Sequence, residues 1–178
     1  TEQPRLDFAA VRSAAEQQWE DALRVIEVEG GTQEQRTVFY TALYHLLIHP
    51  NILQDVNGEY PMMGSLKTGK TQHDRYTVYS LWDTYRNVHP LLSLLYPRKQ
   101  LAMVQTMLDM YKEGGWLPKW ELYSQETMTM EGDPSIIVLN DTWQRGIRDF
   151  DVQLAYEAMR KGADTSGKSN LLRPDNDD

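Results

Sequence analysis

A chain of 178 residues that is 40% hydrophobic is long enough to bury one sizeable core, and its composition is neither that of a disordered tail nor that of a fibre. Its net charge of -8, from 26 acidic and 18 basic side chains without a basic block, argues against nucleic acid or an anionic membrane surface as main partner and suits a neutral or cationic ligand. No apolar stretch approaches the ~20 residues that span a bilayer, and the absence of cysteine excludes disulfides, thiol catalysis and cysteine metal sites while leaving the compartment open.

From Asp7 to Ile26 the apolar residues fall at steps of three and four, which predicts an amphipathic helix with Asp7 as its N-cap. After the break "EVEGG", Thr32 and Gln35 form a capping box for a second helix that Pro50 closes. Residues 51–76, rich in Asn, Gly, Pro and single charges, read as a long loop with a turn at Asn57-Gly58. A third helix is expected from Thr77 to His89, stopped or kinked by Pro90. Pro97 opens a fourth that Gly114 and Gly115 end. "WLPKWELYSQETMTMEG" is a second long irregular stretch. Asp133 and Pro134 start a fifth helix through Gly146, and Asp149 or Asp151 starts a sixth through Lys161, with the tail from Gly162 as loop. Six helices without period-two alternation predict an all-α fold, with the long loops gathered at one end around a pocket. No repeat supports a solenoid. Thr1 in place of Met and the charged close "LLRPDNDD" fit a piece of a longer polypeptide.

Two constellations carry chemistry. In "SLWDTYR", Asp83 and Arg86 stand three apart on one helical face beside Trp82 and Tyr85, inside an otherwise apolar run. An ordinary intrahelical ion pair explains them by pattern alone. Burial among Val78, Leu81, Val88, Leu91 and Leu92 instead favours a hydroxyl-rich ligand such as a sugar, with the Trp82 face against its C–H groups. In "SQETMTMEGDP", Glu126 lies between Trp120 and the Asp-Pro helix start, flanked by Gln125, Thr127, Met128 and Met130. Thioethers and indoles around a carboxyl would desolvate it and favour the protonated form that a general acid needs, whereas a solvated loop glutamate is the plainer alternative. Glu121 and Glu131 are weaker rivals.

Other patterns carry less. His45 and His49 have the i, i+4 spacing of a metal pair, but no acid completes an "HExxH" and core residues lie between them. His89 can hydrogen-bond in a pocket, although a structural role explains it as well. "LKTGKT" lacks the glycine spacing and preceding strand of a phosphate loop, and "LQDVNGEY" misses the helix-loop-helix calcium pattern.

The segments "VEGGTQEQRTVFYTALYHLLIHPNILQDVNGEY", "YSLWDTYRNVHPLL", "GGWLPKWELYSQETMTMEGDPS", "FDVQLAYEAMRKGA" and "RPDNDD" run in order over nearly the whole chain and resemble the glycoside hydrolase family 92 α-mannosidases. That resemblance implies exo-acting, calcium-dependent, inverting hydrolysis of α-mannosides such as N-glycan mannose, on a β-sandwich packed against an (α/α)6 barrel. Residues 1–178 would form the N-terminal half of that barrel, the sandwich and second half being absent. It implies Glu126, of the family's "ET" motif, as catalytic acid, and Trp82, Asp83 and Arg86 as the lining of the terminal-mannose subsite, with Gln125 and Trp120 close by. The general base and the calcium ligands would come from segments outside this sequence, so the piece alone should not turn over substrate. Gly132-Asp133-Pro134 stands where α-1,2-specific members carry Gly-Tyr-His, so that linkage is not implied. The implied partners are an α-mannoside or glycan and the remainder of the parent polypeptide, with no nucleic acid and no membrane span, and the implied location is exported. The competing readings are a non-catalytic helical binding or scaffold module and another (α/α)6 carbohydrate-active enzyme, such as a phosphorylase.

Overall fold

A computed structural model of the chain describes residues 7–164. They divide into two compact units, one ending at Ile48 and the other starting at His49. The "RPDNDD" segment and the rest of the tail beyond residue 164 lie outside the described residues.

The first unit is a helical hairpin. Helix α1 (Phe8–Leu23) starts where the Asp7 carboxylate accepts the Ala10 N–H at 3.1 Å, and α2 (Gln33–Leu46) starts at the reciprocal Thr32–Gln35 capping box. Both caps stand where the sequence places them. Helix α1 stops short of Ile26 because the Tyr40 hydroxyl donates to the Ile26 carbonyl (3.0 Å) and accepts the Val28 N–H (3.2 Å), groups that a longer helix would need for itself. Trp19 packs on Tyr44 with ring centroids 4.6 Å apart.

In the second unit the expectation of an all-α architecture, part of an (α/α)6 toroid, is overturned. Across the described residues seven helices are accompanied by seven short strands in three antiparallel sheets. The stretch 51–76, expected as loop, pairs β1 (Asn51–Ile52) with β4 (Tyr76–Thr77) and folds β2 (Glu59–Pro61) against β3 (Thr68–Lys70). The second irregular stretch supplies β6 (Trp120–Leu122) and β7 (Gln125–Glu126), which continue a sheet begun by β5 (Tyr79–Ser80). Strands of two or three residues cannot display an alternating pattern, so pairing across the chain defines them rather than local periodicity. The predicted turn at Asn57-Gly58 is present, with the Asn57 side chain accepting the Glu59 N–H at 2.9 Å and Gly58 at φ 82°.

The expected helix from Thr77 to His89 is also corrected. Thr77 lies in β4, Val78 takes a left-handed φ of 63°, and helix begins only with α3 (Leu81–Thr84), followed by α4 (Val88–Leu95). Pro90 falls in the first turn of α4, where its missing N–H would have no helical partner, so it stops nothing. Helix α5 (Pro97–Gly114) keeps its predicted bounds, with Pro97 in the first turn and Gly115 at φ 81° as C-cap. It is the buried spine of the unit: Met103, Val104, Met107, Leu108 and Met110 pack among Tyr79, Leu92, Val138 and Leu139, and α4, α6 (Pro134–Gln144), α7 (Val152–Asp164) and β4 surround it. Helix α7 opens with the Asp151 carboxylate on the Leu154 N–H (2.9 Å) and carries on past Gly162, which the sequence assigns to loop.

Candidate functional site

The sheet β5-β6-β7 brings three distant stretches of sequence to one place. Ser80 pairs with Trp120, and Glu121 pairs with Glu126. The chain leaving β5 runs directly into α3, so Trp82 and Asp83 follow one edge strand of the sheet while Glu126 lies in the other, with β6 between them.

Glu126 is anchored by backbone. Its Oε1 accepts the N–H groups of Trp120 (3.0 Å) and Met128 (2.9 Å), and its Oε2 accepts that of Lys119 (2.7 Å). Of the four lone-pair positions of a carboxylate, three are taken and the remaining one is on Oε2. Three main-chain amides thus bond the carboxyl and fix the orientation of that side chain. Thr127 secures the same strand end, its hydroxyl donating to the Trp120 carbonyl at 2.8 Å. Gln125 is exposed opposite Leu122, and Trp120 is half-buried.

The "SLWDTYR" cluster differs from its expected form. Asp83 and Arg86 are both exposed, and no ion pair joins them. Asp83 instead accepts a hydrogen bond from the Ser80 hydroxyl, and the Arg86 guanidinium lies over the rings of Trp82 and Tyr85, 4.8 Å from each centroid. The short α3 explains this: one turn of helix leaves Asp83 nearer the strand end than the next turn. The Asp83 carboxylate and the Arg86 guanidinium are thus exposed and the Trp82 indole is half-buried beneath Arg86, groups of the kind that suit hydroxyls and an apolar sugar face.

Beneath this surface lies a chain of hydrogen bonds that sequence reading assigned only in part. Gln100 Nε2 donates to the Thr142 hydroxyl (2.8 Å), which turns its Oε1 toward His89 Nδ1 (3.0 Å). Nδ1 then carries the proton, and Nε2 faces the hydroxyl of Thr84 in α3 at 3.0 Å, whose one proton it shares with the Ser80 carbonyl at 3.2 Å. Burial lowers the His89 pKa to about 4, so the ring is neutral.

Several charges are buried: Glu121, which the sequence offers as a weaker rival to Glu126, and Arg75, Glu113 and Lys119, which it does not single out. Glu121 is fully buried, and that burial pushes its carboxyl above the usual range against the opposing effect of hydrogen bonds from Ser124, Thr77 and Val78. Arg75, also fully buried, pairs with Glu113 at 2.9 Å, and Glu113 further accepts the Tyr60 hydroxyl (2.7 Å) and the Met63 N–H (2.7 Å). Burial, and then the bond to Glu113, raise the Tyr60 pKa to about 12. Lys119 is 5% exposed, and burial likewise raises the carboxyl of neighbouring Asp133, opposed by the main chain of α6 and by the Lys119 charge. The only signal for these residues in the sequence is a charged residue among aromatics, as in "WLPKWEL".

Among the described residues no group of three or more His, Cys, Asp or Glu side chains could hold a metal ion. His49 Nδ1 lies 3.2 Å from the Asn51 side chain, and His45 packs beside Tyr44. The acidic groups at the site accept hydrogen bonds from protein N–H and O–H donors, which does not fit a calcium ion seeking free oxygen ligands.

The family model described as "Glycosyl hydrolase family 92 catalytic domain" matches residues 1–177. A family GH92 α-mannosidase from Bacteroides thetaiotaomicron, solved in complex with mannoimidazole, superposes with a TM-score of 0.85 at 34% identity over 91% of this chain and 21% of its own. A family GH92 inverting mannosidase from Bacteroides thetaiotaomicron VPI-5482 superposes with a TM-score of 0.81 at 33% identity, over 89% of this chain and 22% of its own. An uncharacterized secreted glycosidase of Arthroderma benhamiae is 31% identical over 162 residues, 89% of this chain and 16% of that protein. The chain thus spans about a fifth of the length of the relatives it matches.

Proposed function

The chain belongs to glycosyl hydrolase family 92, and from that premise we propose that it is the part of an α-mannosidase catalytic domain that donates the proton and holds the terminal sugar. The observation that carries this reading is the fixed Glu126 carboxyl, with one lone pair left on Oε2, in the same sheet as the strand that leads into Trp82 and Asp83. In the proposed reaction Glu126 Oε2 carries the proton to the glycosidic oxygen as the bond to the anomeric carbon breaks. In this proposal Asp83 and Arg86 bind its hydroxyls, and Trp82 offers the sugar ring the face that the Arg86 guanidinium leaves uncovered. Inversion requires a second carboxylate about 6.5–9.5 Å from the first, which activates water on the opposite face. In this proposal the base comes from outside the described residues.

Exo action, inversion and calcium dependence belong to the proposal for the whole protein. The name of the inverting relative supports inversion, and the family resemblance supports exo action and calcium dependence. Export is proposed on the same footing, from the relative named a secreted glycosidase.

The test is leaving-group dependence in the full-length protein. Glu126→Gln should lower hydrolysis of α-mannosides with poor leaving groups by roughly 10²–10⁴-fold and have far less effect on activated aryl mannosides, which need little protonation. Equal losses on both substrates would remove Glu126 from the acid role. No mannose release from any α-mannoside, with calcium supplied, would favour a non-catalytic module.

A further inference from the structure

We propose that Glu121 is a positioning residue for Glu126, its buried carboxylate holding the β6–β7 turn in the shape that aims the catalytic carboxyl. This rests on the acid reading of Glu126 and extends it to a residue that never meets substrate. Glu121 is the direct cross-strand partner of Glu126, and the turn joining the two strands consists of Tyr123 and Ser124. Both turn residues have left-handed backbone, with φ of 48° and 64°, a region that side chains with a Cβ disfavour. Something must hold them there.

The geometry identifies what does. The Glu121 Oε1 accepts the Ser124 N–H and the Thr77 hydroxyl (2.9 Å), while Oε2 accepts the N–H of Val78 (3.0 Å), itself at φ 63°. The Thr77 oxygen in turn accepts the Tyr123 N–H at 2.9 Å, so both turn amides are bonded to this one pair of side chains. Two left-handed residues, Val78 and Ser124, bond this carboxylate directly, and the third, Tyr123, is bonded to it through the Thr77 hydroxyl. It is fully buried, so water cannot replace it if it is lost. From the other side, the Ser124 hydroxyl donates to the Pro61 carbonyl (2.6 Å) and the Ser124 carbonyl accepts the Gly64 N–H (2.8 Å), which ties the turn to the β2–β3 hairpin. The end of this turn is Gln125-Glu126, whose register sets the distance from Glu126 to the Lys119 and Trp120 amides.

Glu121 is itself excluded from proton transfer to a sugar: it has no exposed surface and its contacts are protein donors. Replacing it by glutamine keeps the volume but turns an NH2 group toward N–H donors, so the turn must relax. A shift of about 1 Å in a catalytic group can cost on the order of 10²-fold in rate.

The experiment compares Glu121→Gln, Thr77→Val and Glu126→Gln in the full-length protein on an α-mannoside with a poor leaving group and on an activated aryl mannoside. The expected result is a loss roughly tenfold to a hundredfold greater on the poor leaving group for Glu121→Gln, in kcat rather than KM, and the same direction for Thr77→Val. A variant that is only partly folded loses activity equally on both substrates. Equal losses for Glu121→Gln and Thr77→Val, with Glu126→Gln still discriminating, would overturn the inference and leave the acid reading intact. If Glu121→Gln does not fold, Thr77→Val alone decides between these outcomes. An even loss in Glu126→Gln would remove the acid reading and this inference together.

Discussion

The neutral imidazole of His89 ties pH to folding. Its pKa falls from 6.5 to about 4 in the fold, chiefly through burial, so below pH 6.5 the unfolded chain takes up a proton that the native ring refuses. Its contribution is fully present above that pH and declines at about 1.4 kcal/mol per unit until pH 4, about 3 kcal/mol in all. Urea denaturation at pH 7 and pH 4.5 should show this decline, and His89→Asn should flatten it; an unchanged slope in the variant would place the proton elsewhere. A second residue-scale expectation concerns the buried Arg75–Glu113 pair. Glu113→Ala leaves Arg75, the Tyr60 hydroxyl and the Met63 amide without their acceptor, and should cost about 3–5 kcal/mol in the same measurement. Neither effect is visible in sequence. "VHP" and "HDR" show a histidine and an arginine, but their partners stand on α5, 11 positions away for His89 and 38 for Arg75.

At the scale of elements, legibility follows the range of the forces involved. Helix α2 was readable because its capping box spans four residues, Thr32 to Gln35, and α5 because proline and glycine mark its ends. Thr32→Ala should accordingly cost about 1 kcal/mol, read as a lower thermal midpoint. The β2–β3 hairpin was not readable, because what holds it lies across the fold. Gly69 faces Tyr60 in the register, and a Cβ there would come within 2.7 Å of the Tyr60 ring, whose hydroxyl is bonded to Glu113. Gly69→Ala should therefore push the ring off its partner and destabilise by roughly 1–3 kcal/mol, more than any change in hairpin propensity. A midpoint equal to that of the parent protein would show that the ring moves aside freely. The expected helix over Thr77–His89 failed for a related reason: its first residues bond Glu121, forty-odd positions later in the chain, and the left-handed Val78 cannot continue a helix.

Within the second unit, the sheet reunites candidate residues that the chain separates. Strand β6 is the hinge of that assembly, with β5 and the Trp82–Asp83 turn on one side and β7 with Glu126 on the other. For the full-length enzyme we expect mannose release to fall on chelation and to return with calcium; activity indifferent to chelator would remove calcium from the proposal. By itself the sequence determined the family, the helix caps and the candidate residues Glu126, Trp82, Asp83 and Arg86, because motifs and capping signals are written in neighbouring positions. Only the tertiary structure decided that the two irregular stretches are paired strands, that Asp83 and Arg86 stand apart in solvent, and that Glu126 rests on main-chain amides while Glu121 is sealed beneath the turn. Those outcomes depend on which donors and which apolar surfaces meet across long separations, and no local pattern encodes that.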